Sequence, residues 1–285
     1  MTRVAIVTDS AADIDPAVAA SAGVVVVPLI VSFGDDSYRA GVEMTTEAFW
    51  ERMVAPGAPF PKTAAASPGV FKDVFEGAFA AGAEAIVCVT VGSTLSGTHK
   101  SAQVALGMLP EREIHLVDSQ SASMGEGLLV LLAAELAATG VPADGIARTI
   151  ETRVDDIVVA VCLDTLEYLK KGGRISGPQA AIGSLLGVKP IISVDHGVVG
   201  TLDKVRTRTK ARARAIEYIT ADPIERLAVL HTLSPDVDAF RDELVAQVPG
   251  GIDPGRVSTA IVGSSVGPHL GPGAVGAAVL RKRSD

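Results

Sequence analysis

Three apolar runs in the first 120 residues each stop on small polar residues, and this constrains the fold more than any other feature. VAIVTDS (4–10), EAIVCVTVGST (84–94) and EIHLVDS (113–119) read as buried strands, each followed by a segment with helical character. Strands alternating with helices build a parallel sheet covered on both faces. In such sheets ligands collect beyond the carboxyl ends of the strands. Asp9, Ser10, Asp118, Ser119, Ser121 and the Gly-Ser-Thr turn should therefore share one rim. The richest part of that rim is VGSTLSGTHKSAQVA (91–105). A strand, a small-residue turn and a helix start direct free backbone N–H groups and the helix dipole at one point, which suits a carboxylate or a phosphate.

Other elements extend the pattern. Asp15 and Pro16 suit the cap and first turn of a helix over 16–22. GVVVVPLIVSF (23–33) reads as one buried strand, and Thr45 or Thr46 can cap EAFWERMVA. Val70, Phe71, Val74, Phe75 and Phe79 have helical spacing, and a long helix begins near Ser123. The rhythm then changes. A helix near 142–153 precedes a strand, DIVVAVCLD (156–164), and a short helix stopped by Gly172–Gly173. A small-residue helix (178–187) and a hairpin-like pair turning at Asp195–His196–Gly197 follow, then a basic helix, a strand at 226–233, a helix at 235–247 and a strand at 258–267. The expected class is α/β, in two α/β domains: 1–155, with a parallel sheet flanked by helices, and 156–285, mixed α/β.

The net charge of −8 argues against a general nucleic-acid binder. The basic runs at 204–214 and 281–285 read as a solvated helix face and a charged tail. With 48% hydrophobic but only 4% aromatic residues, the interior must be aliphatic, which fits a large core or a cavity for an aliphatic ligand. Cys88 and Cys162 sit in apolar runs and read as buried free thiols, in keeping with a reducing cytoplasm. The opening residues read as a strand rather than a signal peptide. The longest apolar stretch, 127–140, contains Glu135 and is too short to span a bilayer.

Catalytic signatures are sparse. There is no GxxxxGK[ST], no GxGxxG after the first strand and no cluster with metal-ligand spacing. Ser93 and His269, with Asp9 or Asp118, could form a nucleophilic triad, but Ser93 is not in a GxSxG elbow. In VGPHLGPGAVG (266–276) glycines flank His269 while Pro268 and Pro272 stiffen the turn, so backbone can approach a ligand beside one imidazole. Lys170, Lys171 and Arg174 surround a Gly-Gly break and could meet a phosphate or an acidic partner. Three readings stay open on these residues: a carrier of an aliphatic carboxylate, a serine-type acyl or phosphoester hydrolase, and a small-anion binding module.

Taken in order, VTDSAADI, GSTLSGTHKSAQVA, VDSQSASMGEG, LDTLEYLKKGGRISG, GVKPIISVDHG, KVRTRTKA and GPHLGPGAVG resemble the DegV family, from about residue 4 to 276. The resemblance implies a bacterial cytoplasmic lipid-binding protein, like the fatty-acid-binding subunits of fatty acid kinase, with the ligand held between two α/β domains. It implies that Ser93, with Thr94 beside it, Thr63 and His269 contact the fatty-acid carboxylate. It also implies that Arg174 is exposed near the head group and helps dock the kinase, with Arg206 a candidate for the same docking surface. On this reading the chain is not itself an enzyme and needs no cofactor or metal. It binds a long-chain fatty acid and presents the carboxylate to a separate ATP-binding subunit. Ala180, Ala181, Ile182, Leu185, Leu186, Ile191 and Ile192 are the expected tunnel wall. Two positions depart from the family pattern: TAAASPG stands where the family usually has TSQPSPG, and Ala40 stands where an Asp is usual.

Overall fold

A proline decides the first departure from a simple strand–helix alternation. In the computed structural model, which describes residues 3–175 and 187–283, the run 23–33 is two strands rather than one. Pro28 lacks an N–H and cannot continue a ladder. The chain therefore breaks into β2 (Val24–Val27), which pairs in parallel with β1 (Val4–Asp9), and β3 (Ile30–Phe33), which leaves for another sheet. Between β1 and β2, α1 (Pro16–Ser21) starts on Asp15, whose side chain accepts the N–H groups of Ala17 and Val18.

β3 forms a small antiparallel sheet with β4 (Asp36–Arg39) and β5 (Lys62–Ala64). α2 (Thr46–Val54), capped by Thr45, packs Phe49 and Trp50 on it. α3 (Pro68–Ala80) follows, capped by Ser67 and burying Phe71 and Phe75. Next come β6 (Ala85–Thr90), α4 (Thr98–Gly107), β7 (Glu113–Asp118), α5 (Met124–Ala138) and α6 (Ala143–Arg153). The first sheet is wholly parallel, in the order β2-β1-β6-β7. Every residue of β6 is buried, as expected for a central strand covered on both faces.

The second sheet has six strands in the order β10-β9-β8-β13-β11-β12. Its elements are β8 (Ile157–Cys162), α7 (Glu167–Lys171), β9 (Lys189–Asp195), β10 (Val198–Val205), α8 (Arg208–Ile219), β11 (Ile224–His231), α9 (Val237–Ala246), β12 (Val257–Ile261), α10 (Gly267–Leu270) and β13 (Val275–Arg281). Only β11 and β12 pair in parallel; the other pairings are antiparallel, so the sheet is mixed. β13 runs between β8 and β11, where a side chain on Gly276 would overlap the Ala160 carbonyl.

The change of sheet falls at β8, but one hydrophobic core crosses it. α5 is apolar nearly all round, and its Leu128, Leu129 and Ala133 share a cluster with Ile6 and Val89 of the first sheet and Val159 and Ala278 of the second. An all-apolar helix of this kind belongs between two layers. The Arg226 guanidinium on β11 forks onto Glu135 of α5, with both bonds at 2.6 Å, and ties the same layers at their edge. Residues 178–186 of the expected small-residue helix, and with them Ala180, Ala181, Ile182, Leu185 and Leu186, lie outside the described residues; Ile191 and Ile192 are buried on β9.

Candidate functional site

The turn after β6 uses most of its own donors. Gly92 N–H goes to Ser121 O at 2.8 Å, and Ser93 N–H goes to Asp118 Oδ1 at 3.1 Å. The N–H groups of Leu95 and Ser96 both go to Gly92 O. Thr98 N–H goes to Ser96 Oγ, which is also 2.8 Å from Thr98 Oγ1. The open anion cradle expected of a strand–turn–helix is therefore largely closed by internal bonds. The hydroxyls divide as well. Ser93 and Thr94 are exposed and neither lines the cavity described below. Thr94 Oγ1 instead donates to Gly197 O at 2.5 Å, pinning the β9–β10 hairpin tip to the first sheet. Val91, Leu95, Ser96 and Gly97 are the members of the turn that face the cavity, and Ser96 alone brings a hydroxyl there.

That cavity lies between the two sheets. The first-sheet side contributes Ala11, Leu29, Val91, Leu95 and Ala122, and β9, β10 and α7 contribute Ile192, Val194, Val199 and Leu169. Among the described lining residues the wall is aliphatic except for Gly97 and five polar side chains: Thr63, Ser96, Arg174, Ser265 and His269. Three of these five stand next to one another. Thr63, on β5, has its Oγ1 hydrogen-bonded to His269 Nε2 at 3.2 Å, across 206 residues of sequence. Arg174, just past α7, donates from Nε to Leu95 O at 3.2 Å and from Nη1 to Gly172 O at 2.6 Å. Its charge acts directly on His269.

His269 is neutral at neutral pH. Burial, and then the Arg174 charge, holds its pKa down to about 4. Its ring lies against Gly172, where a side chain would overlap Nδ1, and Nδ1 has no hydrogen-bond partner among the described residues. A buried N–H without an acceptor is the rarer arrangement. The proton therefore belongs on Nε2, which donates to Thr63 Oγ1 and leaves the Thr63 hydroxyl proton free for another acceptor. Phe49 and Trp50 hold the His269 turn from behind: Trp50 Nε1 donates to Val262 O at 2.8 Å, and Gly267 has no side chain because one would overlap both rings. Ser265 Oγ is 2.9 Å from Ser10 Oγ, which accepts the Leu29 N–H.

Of the residues singled out from sequence, Thr63 and His269 meet in one hydrogen bond at the cavity. Arg174, expected exposed near the head group, lines the cavity and is half-buried. Arg206 is exposed between β10 and α8 and does not line the cavity. The Ser93–His269–Asp triad does not assemble. His269 Nε2 is engaged by Thr63, its Nδ1 meets no carboxylate, and Asp9 and Asp118 are bonded to backbone N–H groups. Ser96, a hydroxyl of the turn that the resemblance does not place on the carboxylate, and Ser265, which no sequence signal marks, also line the cavity. Among the described residues no group of acids, histidines and cysteines could hold a metal ion, and no helix is long and apolar enough to cross a membrane.

The model of the DegV family matches residues 3–282 of this chain. A DegV domain-containing protein of Streptomyces coelicolor is 36% identical over 288 residues, covering 97% of this chain and 98% of the relative. Among solved structures, a fatty-acid-binding DegV family protein from Thermus thermophilus superposes with a TM-score of 0.89 at 32% identity, covering 99% of this chain and all of the other. A stearic acid-binding protein from Eubacterium ventriosum superposes with a TM-score of 0.85 at 27% identity, with 99% of each chain covered.

Proposed function

Since this chain belongs to the DegV family, we propose that it binds a long-chain fatty acid in the cavity between the sheets and presents the carboxylate to a separate ATP-dependent fatty acid kinase. The observation that carries the reading is the Thr63–His269 hydrogen bond at 3.2 Å beside Arg174, in a wall that is otherwise mostly aliphatic. A carboxylate needs a cation and a few fixed donors; an acyl chain needs aliphatic surface. Each buried methylene contributes roughly 0.8 kcal/mol, so the tail supplies affinity and the polar group supplies orientation.

The head-group assignment starts from Thr63, His269 and Arg174. The Thr63 hydroxyl donates to a carboxylate oxygen, with His269 holding it in that rotamer. Arg174 supplies the positive charge, and Ser96 is near enough to the same space to add a hydroxyl. Ser93 and Thr94, exposed on the outer side of the turn, suit contact with the kinase better than contact with the ligand. Arg206 is a second candidate for that docking surface. The chain supplies binding and presentation, and the phosphoryl-transfer chemistry resides in the partner.

Displacement of a dansyl-labelled undecanoic acid tests the binding reading. Oleate should displace the probe stoichiometrically, and inorganic phosphate should not; displacement by phosphate and not oleate would indicate a small-anion module. Mixing the oleate-loaded protein with a purified kinase subunit, ATP and hydroxylamine should yield oleoyl hydroxamate from trapped acyl phosphate. No hydroxamate despite tight oleate binding would remove the kinase half of the proposal.

A further inference from the structure

Two carboxyl groups lie behind the cavity wall, both completely buried: Asp9 at the end of β1 and Glu126 in the first turn of α5. Asp9 Oδ1 accepts the Ala11 N–H and Oδ2 accepts the Val91 N–H, each at 2.9 Å. Ala11 and Val91 both line the cavity. One buried carboxylate thus joins two separate stretches of its wall. Glu126 Oε1 accepts the hydroxyl of Thr8, the residue before Asp9, at 2.8 Å, and the two carboxyl groups act on each other's ionisation. Yet Glu126 Oε2 has no donor among the described residues. Two carboxyl groups can hydrogen-bond each other only if one carries a proton.

We infer that Glu126 is protonated and donates from Oε2 to Asp9, so that the pair shares one proton and positions the Ala11 and Val91 segments of the cavity wall. The titratable groups acting on the pair are acidic. Asp13 follows β1, with Oδ2 on Ser123 Oγ at 2.6 Å and Oδ1 on Gly263 N at 2.9 Å. Burial, and then the charges of the pair, raise the Cys88 thiol on β6. No Lys or Arg is among these groups. Two uncompensated carboxylates buried together are strongly disfavoured, and holding one proton between them relieves this. Burial accordingly pushes Asp9 up to about 6, and burial with the Asp9 charge pushes Glu126 well above the ordinary carboxyl range.

The proton assignment is independent of the ligand; the wall-positioning half rests on the fatty-acid reading. Infrared spectroscopy at pH 7 tests the first half on the intact protein. A protonated-carboxyl stretch that shifts on 13C-glutamate labelling should be present, and that component should vanish in Glu126→Gln. No such band, or one unchanged by the label, would overturn the assignment. The second half is read from binding of the dansyl-labelled fatty acid. Glu126→Gln keeps a donor for Asp9 and an acceptor for Thr8, so its affinity should stay within about twofold of wild type. Glu126→Leu removes both and should bind about tenfold more weakly. Wild-type affinity in Glu126→Leu would overturn the positioning role. Should that variant not fold, Asp9→Asn serves the same purpose, because its amide N–H₂ faces a backbone N–H; wild-type affinity there would be equally contrary. If wild type itself fails to bind the probe or oleate, the fatty-acid reading falls and the positioning role with it, while the infrared band still decides the proton.

Discussion

Two polar regions border the same cavity, and they differ in how their hydrogen-bonding groups are engaged. The turn after β6 is dense in hydroxyls and glycine, but its N–H groups are tied to Ser121 O, Asp118 and Gly92 O, and two of its hydroxyl residues face outward. The set formed by Thr63, Arg174 and His269 is sparse in sequence, yet its members converge from β5, the end of α7 and α10. Local richness in donors is therefore a poor guide to a binding site when the turn must also satisfy its own backbone. A cation and one hydroxyl held at the cavity wall, each with part of its donor capacity already engaged, suit a carboxylate better.

Variants on the two sides should separate them clearly. Removing the charge with Arg174→Ala should weaken fatty-acid binding by about 2–3 kcal/mol, the upper range for a hydrogen bond to a charged group; equilibrium titration with oleate measures it. Gly172→Ala should come next. Its methyl would overlap His269 Nδ1, so the ring must move and the bond to Thr63 must lengthen, at a cost of about 1–3 kcal/mol in affinity or stability. Thr63→Val keeps the shape but loses the hydroxyl, and about 1–1.5 kcal/mol of affinity should go with it. Ser93→Ala should change affinity by less than about 0.5 kcal/mol, as for a surface substitution away from the site. A larger loss in Ser93→Ala than in Thr63→Val would reverse the comparison.

The smallest effect concerns pH. His269, with its pKa near 4, stays neutral from pH 6 to 8, so oleate affinity should be flat over that range as far as this residue is concerned. Its depressed folded-state pKa carries a definite sign. Between about 4 and the ordinary value of 6.5 the unfolded chain binds the extra proton, so this contribution to stability is full above 6.5 and is lost as the pH falls through 4. Asp9 and Asp13, raised to about 6 and about 7, act oppositely: their contribution is present below their ordinary value of 3.8 and declines as the pH rises through 6 and 7. Thermal midpoints of wild type and His269→Gln across pH 4–8 should diverge only toward the acid end.

Much of the fold could be read from local pattern. β1, β6 and β7 are continuous apolar runs, and Asp15, Thr45 and Ser67 announce helix starts by side-chain chemistry that acts within a few residues. What escaped depended on distant partners. The small sheet of β3, β4 and β5 needed Pro28 to be recognised as a break within a run that looks uniformly buried. β13 was not read as a strand because its glycine and alanine residues carry little strand propensity; its place comes from pairing with β8 and β11 and from the space Gly276 leaves for Ala160 O. The site divides in the same way. Thr63 came from the family resemblance and His269 also from its glycine- and proline-rich loop, and the two meet in the structure. Ser96 could not be told from Ser93 because the orientation of a hydroxyl within a turn depends on which backbone groups the neighbouring loop occupies. Arg174 was visible as a basic residue beside a glycine pair, but its position against Leu95 O is a tertiary fact.

The central claim is that the cavity between the two sheets holds a fatty acid by its carboxylate. Purified protein, freed of loosely bound lipid and then denatured and extracted, can be examined by lipid mass spectrometry beside the Arg174→Ala variant. Wild type should release close to one long-chain fatty acid per chain, and the variant markedly less. No fatty acid from wild type, together with no binding of added oleate, would contradict the claim.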